Sequence, residues 1–233
     1  MVSAINRRSV MEKFVLRVFE DRLPPAQAPV YLPALARAIY AVEGELHVEH
    51  ATGSQHQQAQ SAWLGDSAVT LLSGPAPVRI WRWELLREST RSPGELRSAP
   101  GTESVCKMEE TIELDPHQSW LMRCDRVAFP PGGVAHTHVH QGPGIRICLY
   151  GEITIETLGQ THVHAAGDPW LELGYAPVFA PTTELEPTAF IRCFLLPRHC
   201  RGRSSIRYVH PEDNSKQKPQ EYHVFGEHFV TLP

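Results

Sequence analysis

The sequence predicts an all-β chain built from two similar units, and three observations carry that expectation. First, 20 prolines and 16 glycines are spread along the 233 residues rather than clustered. That distribution favours many short strands joined by turns over long helices. Second, AIYAVEGELHVE (38–49) and IRICLYGEITIE (145–156) each alternate apolar with other residues, turn through a Gly-Glu pair and alternate again, as strand, tight turn and strand would. Third, such stretches recur in the same order. Gly44 matches Gly151, the pair Gly65-Asp66 matches Gly167-Asp168, and PVRIWRWELL (77–86) matches PTAFIRCFLL (187–196), all at offsets of about 102 to 110 residues.

Taken from the N-terminus, MVSAINRRSVMEKFVL is mixed polar and apolar, so no secretory signal is expected. Residues 1–90 form the first unit. Residues 91–105 are polar, rich in turn residues and without period, and read as a linker. The second unit spans 106–197. Residues 198–233 open on the basic RHCRGR, pass through PEDNSKQKPQ and end in the alternating EYHVFGEHFVTLP, which suits a further strand. This last piece is too short for a domain and reads as an arm packed on a barrel or on a neighbouring subunit.

Composition narrows the function classes. A formal net charge of −4 and a pI near 6.3 leave no basic footprint for nucleic acid. No apolar run reaches transmembrane length, so the expectation is a cytoplasmic protein without membrane contact. The five cysteines are odd in number and show no CxxC spacing, which points to buried reduced thiols.

The chemistry is concentrated in His136-Thr137-His138-Val139-His140. Alternation on a strand turns all three imidazoles to one face. Imidazole suits Zn, Cu, Fe and Ni. Residues i and i+4 stand about 13 Å apart on a regular strand, so all three reach one ion only with the help of a β-bulge.

The spacing Gly132-x5-His138-x-His140-x3-Gly144-x6-Gly151 resembles the first motif of the cupin superfamily, G-x5-H-x-H-x3,4-E-x6-G, with Gly144 at the glutamate position. GDPWLELGYAPVFAPT, from Gly167, is similar to the second motif, G-x5-P-x-G-x2-H-x3-N, with Gly174 as its later glycine and Val178 at the histidine. The resemblance covers roughly residues 14–197. It implies two antiparallel jelly-roll barrels in one chain, a bicupin, with a divalent transition metal (Fe, Ni, Mn or Zn) in the second barrel. His138 and His140 are then ligands, with His136 in reserve. In the first unit Arg37 stands at the glutamate position and Tyr31 and Pro33 at the histidines, so that half is expected to be structural.

A third ligand has several sources: His136, His162, His164, Glu172, Tyr175 or Gln141. Arg146 and Arg192 alternate with apolar neighbours. Facing inward, they would hold a substrate carboxylate bidentately; facing outward, they are ordinary solvated arginines. Trp170 and Tyr175 are candidates for an aromatic wall around a small molecule, or for core and rim packing. Three functions are compatible with these residues. The first is a metal-dependent small-molecule oxygenase, the second a non-catalytic ligand-binding or sensory cupin, and the third a metal-dependent isomerase or epimerase on a sugar-like substrate. The partner expected is a small-molecule ligand or substrate, and a homodimer is the expected assembly.

Overall fold

The computed structural model describes residues 11–96 and 101–233, and among these it places nineteen strands and three short 3-10 turns. The first nine strands are β1 (Glu12–Leu23), β2 (Val30–Leu32), β3 (Ala36–Glu43), β4 (Leu46–His50), β5 (Gly53–Gln57), β6 (Ser61–Gly65), β7 (Val69–Ser73), β8 (Val78–Arg87) and β9 (Glu103–Leu114). Next come β10 (Trp120–Phe129), β11 (Val134–Val139), β12 (Gly144–Tyr150), β13 (Glu152–Thr157), β14 (Gln160–Ala165) and β15 (Pro169–Glu172). The last four are β16 (Val178–Pro181), β17 (Thr188–Pro197), β18 (Arg207–Tyr208) and β19 (Glu221–Val230). They form four antiparallel sheets, ordered β6-β3-β8-β1-β9 and β2-β7-β4-β5 in the first unit, and β15-β12-β17-β10-β19 and β14-β13-β16-β11-β18 in the second. Each unit is a two-sheet jelly roll, the architecture the sequence predicts.

The sheets β6-β3-β8-β1-β9 and β15-β12-β17-β10-β19 are buried on both faces. Phe14, Leu16, Trp81 and Trp83 of the first unit share one apolar cluster with Trp120, Met122, Ile145 and Ile191 of the second. The opposite faces of the same strands line two separate interiors, one around Leu23, Ile39 and Ile80, the other around Val127, Phe129 and Phe190. Double burial explains why runs such as RIWRWELL and AFIRCFLL read as nearly continuous apolar stretches. It also decides the direction of the intervening polar residues. Arg17, Arg82, Arg146 and Arg192 alternate with residues of the shared cluster, so they point into the barrels.

The duplication extends further than the sequence matches. Gly44 and Gly151 both have left-handed φ, +79° and +74°, and at each a Cβ would run into backbone, of Pro77 and Val78 in one and of Pro187 and Thr188 in the other. The β1–β9 register slips between Val18 and Phe19, and the β10–β19 register slips between Cys124 and Asp125. Just before each bulge an arginine faces a glutamate: Arg17 lies 3.5 Å from Glu109, and Arg123 lies 2.5 Å from Glu227. Thus β9 and β19 are equivalent strands. Residues 106–114, expected in the second unit, hydrogen-bond to the first unit's sheet, and residues 198–233, expected to form an arm, supply β18 and β19 to the second barrel.

All five cysteines are free; four are buried, and Cys106, against expectation, is exposed on edge strand β9. Burial raises the thiol of Cys148 to about 12 and that of Cys193 further.

Charge fills the first barrel. Arg82 holds Asp21 at 2.7 and 3.2 Å and Glu84 at 2.5 Å, and Glu84 also receives Arg17 at 2.7 Å and Arg37 at 3.2 Å. The carbonyls of Ser92 and Gly94 close the cluster by accepting from Arg17 and Arg82. Burial alone would raise the Glu84 carboxyl, but Arg82, then Arg37 and Arg17, hold it below its usual 4.5. An unfolded chain restores the usual value. The stabilisation is therefore complete above that pH and is lost as pH falls through the lower folded value. Thermal melts across the acid range are expected to show a falling Tm below pH 4.5, and Glu84→Gln is expected to flatten that fall.

A candidate metal centre in the second barrel

The two histidines of the motif reach the interior through a bulge on β11. Ala135 pairs with Ala180 while His138 pairs with Val178, so three steps on β11 match two on β16. The extra residue resets the alternation. Ala135, His138 and His140 are all buried, and the His136 ring lies off that face, within the electrostatic reach of Asp213. His136 is therefore corrected from reserve ligand to supporting backbone. Its carbonyl accepts the Nδ1 proton of His138 at 2.8 Å, which leaves His138 Nε2 with a free lone pair.

His140 is held on both nitrogens. Nδ1 lies 3.3 Å from Ser205 Oγ, and Nε2 accepts an N–H from Arg192 Nη1 at 3.2 Å. Arg192 is itself clamped by Asp125 through two bonds of 2.8 and 2.7 Å.

The third donor is Glu172, on β15, directly opposite Gly144 in the ladder. Ligand atoms of His138, His140 and Glu172 all lie within 4.8 Å of one another, the only such three-donor group among the described residues. Trp170 Nε1 donates to Oε1 at 3.0 Å. Arg146 Nη2 lies 2.7 Å from Oε2 as an ion pair, yet the geometry is not that of a hydrogen bond, and Oε2 has no hydrogen-bond partner. A carboxylate thus stands on β15, opposite Gly144, rather than at the β12 position itself. A Cβ at position 144 would collide with Phe194 Cβ and lie 2.7 Å from the Cys193 carbonyl, so no side chain fits there. Glu172 is among the six expected sources of a third ligand, but the internal repeat does not single it out. Anchoring on the Gly-Asp pairs shifts the alignment, whereas the strand register equates Trp63 with Trp170 and places Gly65 where Glu172 stands.

Burial pushes His138 and His140 below the ordinary 6.5, with Arg192 adding to the effect at His140, so both rings are neutral at neutral pH and ready to ligate. Burial alone would raise the carboxyl of Glu172, but Arg146 outweighs it and keeps the group ionised. Arg146, fully buried, is pulled down to about 10 by burial.

The remaining predicted residues scatter. Arg146 points inward but is spent on Glu172 and on the Gly144 carbonyl at 2.5 Å. Trp170 is buried, supports Glu172 and stacks on His164 at 4.9 Å. Tyr175 is 76% exposed and does not line the cavity between the donors. Gln141 pairs with His199 on the surface, and His162 is exposed beside Gln160. Val178 faces His138 across the ladder, so the fourth position of the resemblance is apolar.

Between His138, His140, Glu172 and Arg192 lies a cavity of about 20 Å³, lined also by Ile206 and Tyr222. That is room for an ion or a water and no more. An ionised, buried carboxylate oxygen without a hydrogen bond, beside two neutral imidazoles, fits a divalent metal. For His140 to join through Nε2, the bond from Arg192 gives way.

No family model matches the chain, and no curated protein does. Solved structures do match. AerE from Microcystis aeruginosa shares 13% identity over 77% of this chain and 88% of its own, with a TM-score of 0.56. A salicylate 1,2-dioxygenase from Pseudaminobacter salicylatoxidans shares 10% over 82% and 74%, with a TM-score of 0.53. Procruciferin, an 11S globulin from Brassica napus, shares 7% over 77% and 76%, with a TM-score of 0.56. At such identities the likeness is one of fold: the chain has the cupin superfamily fold in its two-barrel form. A dioxygenase and a globulin share it, so function must be argued from the site. Among the described residues no helix is long and apolar enough to cross a membrane.

Proposed function

We propose that the second barrel is a metal-dependent catalytic centre for a small organic molecule, with Fe, Ni, Mn or Zn held by His138, His140 and Glu172. The observation that supports this reading is the convergence of two neutral imidazoles and the buried Glu172 carboxylate, whose ligand atoms lie within 4.8 Å of one another and whose Oε2 is ion-paired with Arg146 but accepts no hydrogen bond. A bound metal would supply Lewis acidity, and iron would add redox chemistry with O2, the reaction class proposed here being oxygenation. The protein does the rest. The His136 carbonyl fixes the His138 tautomer, and Trp170 and Arg146 aim the carboxylate. Val127, Phe129 and Phe190 keep the cavity apolar.

A second reading, a non-catalytic small-ligand module, draws on the N–H of Arg192 that occupies His140 Nε2. Metal analysis and oxygen uptake separate the two. Protein purified without chelator is expected to carry about one metal ion per chain. His138→Ala is expected to lose the metal and, with it, all metal-dependent O2 consumption. Wild-type protein that takes up none of the four metals and is stabilised by small ligands without turnover would establish the second reading instead.

A further inference from the structure

The inner cavity of about 20 Å³ is too small for an organic molecule, but a second cavity of about 510 Å³ lies beyond it. Ile206, Tyr222, His140 and Arg192 line both cavities, so the two are adjacent. The size of the outer chamber is within the range of small-molecule sites.

We infer that the outer chamber binds a small organic monocarboxylate with an apolar body. Its carboxylate lies at Arg123 and Arg203, and its body against Ile206, Tyr222 and Val224. Arg123 is only 4% exposed. Its Nε and Nη2 are committed to Glu227 at 2.8 and 2.5 Å and to the Cys200 carbonyl at 2.6 Å, whereas Nη1 makes no hydrogen bond among the described residues. The internal repeat shows what is missing. Arg17 holds the equivalent place in the first unit, and its Nη1 donates to the Ser92 carbonyl at 2.5 Å. In the second unit residues 202–206 line the chamber, and no hydrogen bond from Arg123 Nη1 to a carbonyl is formed among the described residues.

Charge points the same way. Arg123, Arg192 and Arg203 face two carboxylates, Asp125 and Glu227. Asp125 is matched by Arg192, and Glu227 is matched by Arg123 and by the Gly202 N–H at 3.1 Å. Arg203, exposed at the rim, has no ion pair among the described residues. One positive charge is left over, and a carboxylate answers it through charge-assisted hydrogen bonds. The other lining residues, Ile206, Tyr222, Val224, Ser204 and Ser205 among them, add no further charge to the chamber. This assignment deepens the proposed function by naming its substrate class, but binding in the outer chamber needs no metal.

Benzoate, with neutral benzamide of the same shape as control, tests the assignment by titration calorimetry on metal-stripped protein. Benzoate is expected to bind wild type and His138→Ala equally, since His138 does not line the outer chamber. Benzamide and the Arg203→Gln protein are expected to give binding weaker by at least about tenfold, the cost of a lost charge-assisted pair. An unchanged Tm for Arg203→Gln confirms that it folds. Equal binding of benzoate and benzamide, no binding of benzoate, or binding that survives Arg203→Gln would overturn the assignment. So would binding that needs both metal and His138, because benzoate would then sit on the metal. Failure of the metal reading alone leaves benzoate bound to both stripped proteins.

Discussion

Glu172→Gln protein is expected to lose both metal and stability, and a second substitution should separate the two losses. The change keeps the shape and the acceptor for Trp170 but removes the only carboxylate paired with Arg146. A direct ligand lost should lower metal affinity by more than about a hundredfold, beyond what partners one bond further out contribute. Arg146 is wholly buried, and leaving it unpaired costs roughly 3–5 kcal/mol, whereas replacing both members of a buried pair by well-packed groups is close to neutral. Adding Arg146→Met to Glu172→Gln should therefore restore most of the urea midpoint without restoring metal. If the single variant keeps its metal, Glu172 is not a ligand. If the double variant regains it, the site depends on charge balance alone.

Arg82→Met should produce the largest loss of stability in the first barrel. The guanidinium is fully buried and engages Asp21 and Glu84 at once, and Asp21 also receives Ser104. Its removal leaves two buried carboxylates short of their main partner, a cost of roughly 3–5 kcal/mol, and Glu84 retains only Arg17 and Arg37. Metal content per folded chain should not change, because the donors lie in the other barrel. A change in urea midpoint equivalent to less than about 1 kcal/mol would show that the network is slack. The strand register makes Arg82 the counterpart of Arg192, each opposite the same position of its neighbouring strand, Ile39 and Arg146. One framework position thus serves a structural ion cluster in one half and the neighbourhood of the proposed metal site in the other.

The two-unit architecture was legible in the sequence because hairpin glycines and apolar alternation are local properties. Gly44 and Gly151 mark the same turn, and His138 and His140 are read directly from their spacing. The parts that were not legible depend on pairing between distant strands. Glu172 was one of six candidate third donors, and what singles it out from the other five is the β12–β15 ladder, which brings it to the two histidines across 32 residues of chain. The bulge that moves His136 off the face involves the partner strand β16, so alternation along β11 alone misplaces it. Arg146 and Arg192 were ambiguous because a strand buried on both faces gives no polar side from which to judge direction. Ser205, Ile206 and Tyr222 come from the segment after residue 197, whose return over the barrel no local pattern in the second unit announces.

His138, His140 and Glu172 are proposed to bind one metal ion. Anomalous diffraction from crystals of the purified protein, collected above and below the absorption edges of Fe, Ni, Mn and Zn, addresses this directly. The account predicts a single peak bounded by His138 Nε2, His140 Nε2 and Glu172 Oε2, with Arg192 Nη1 withdrawn from His140. No peak in native or metal-soaked crystals, with Arg192 still bonded to His140 Nε2, would contradict it.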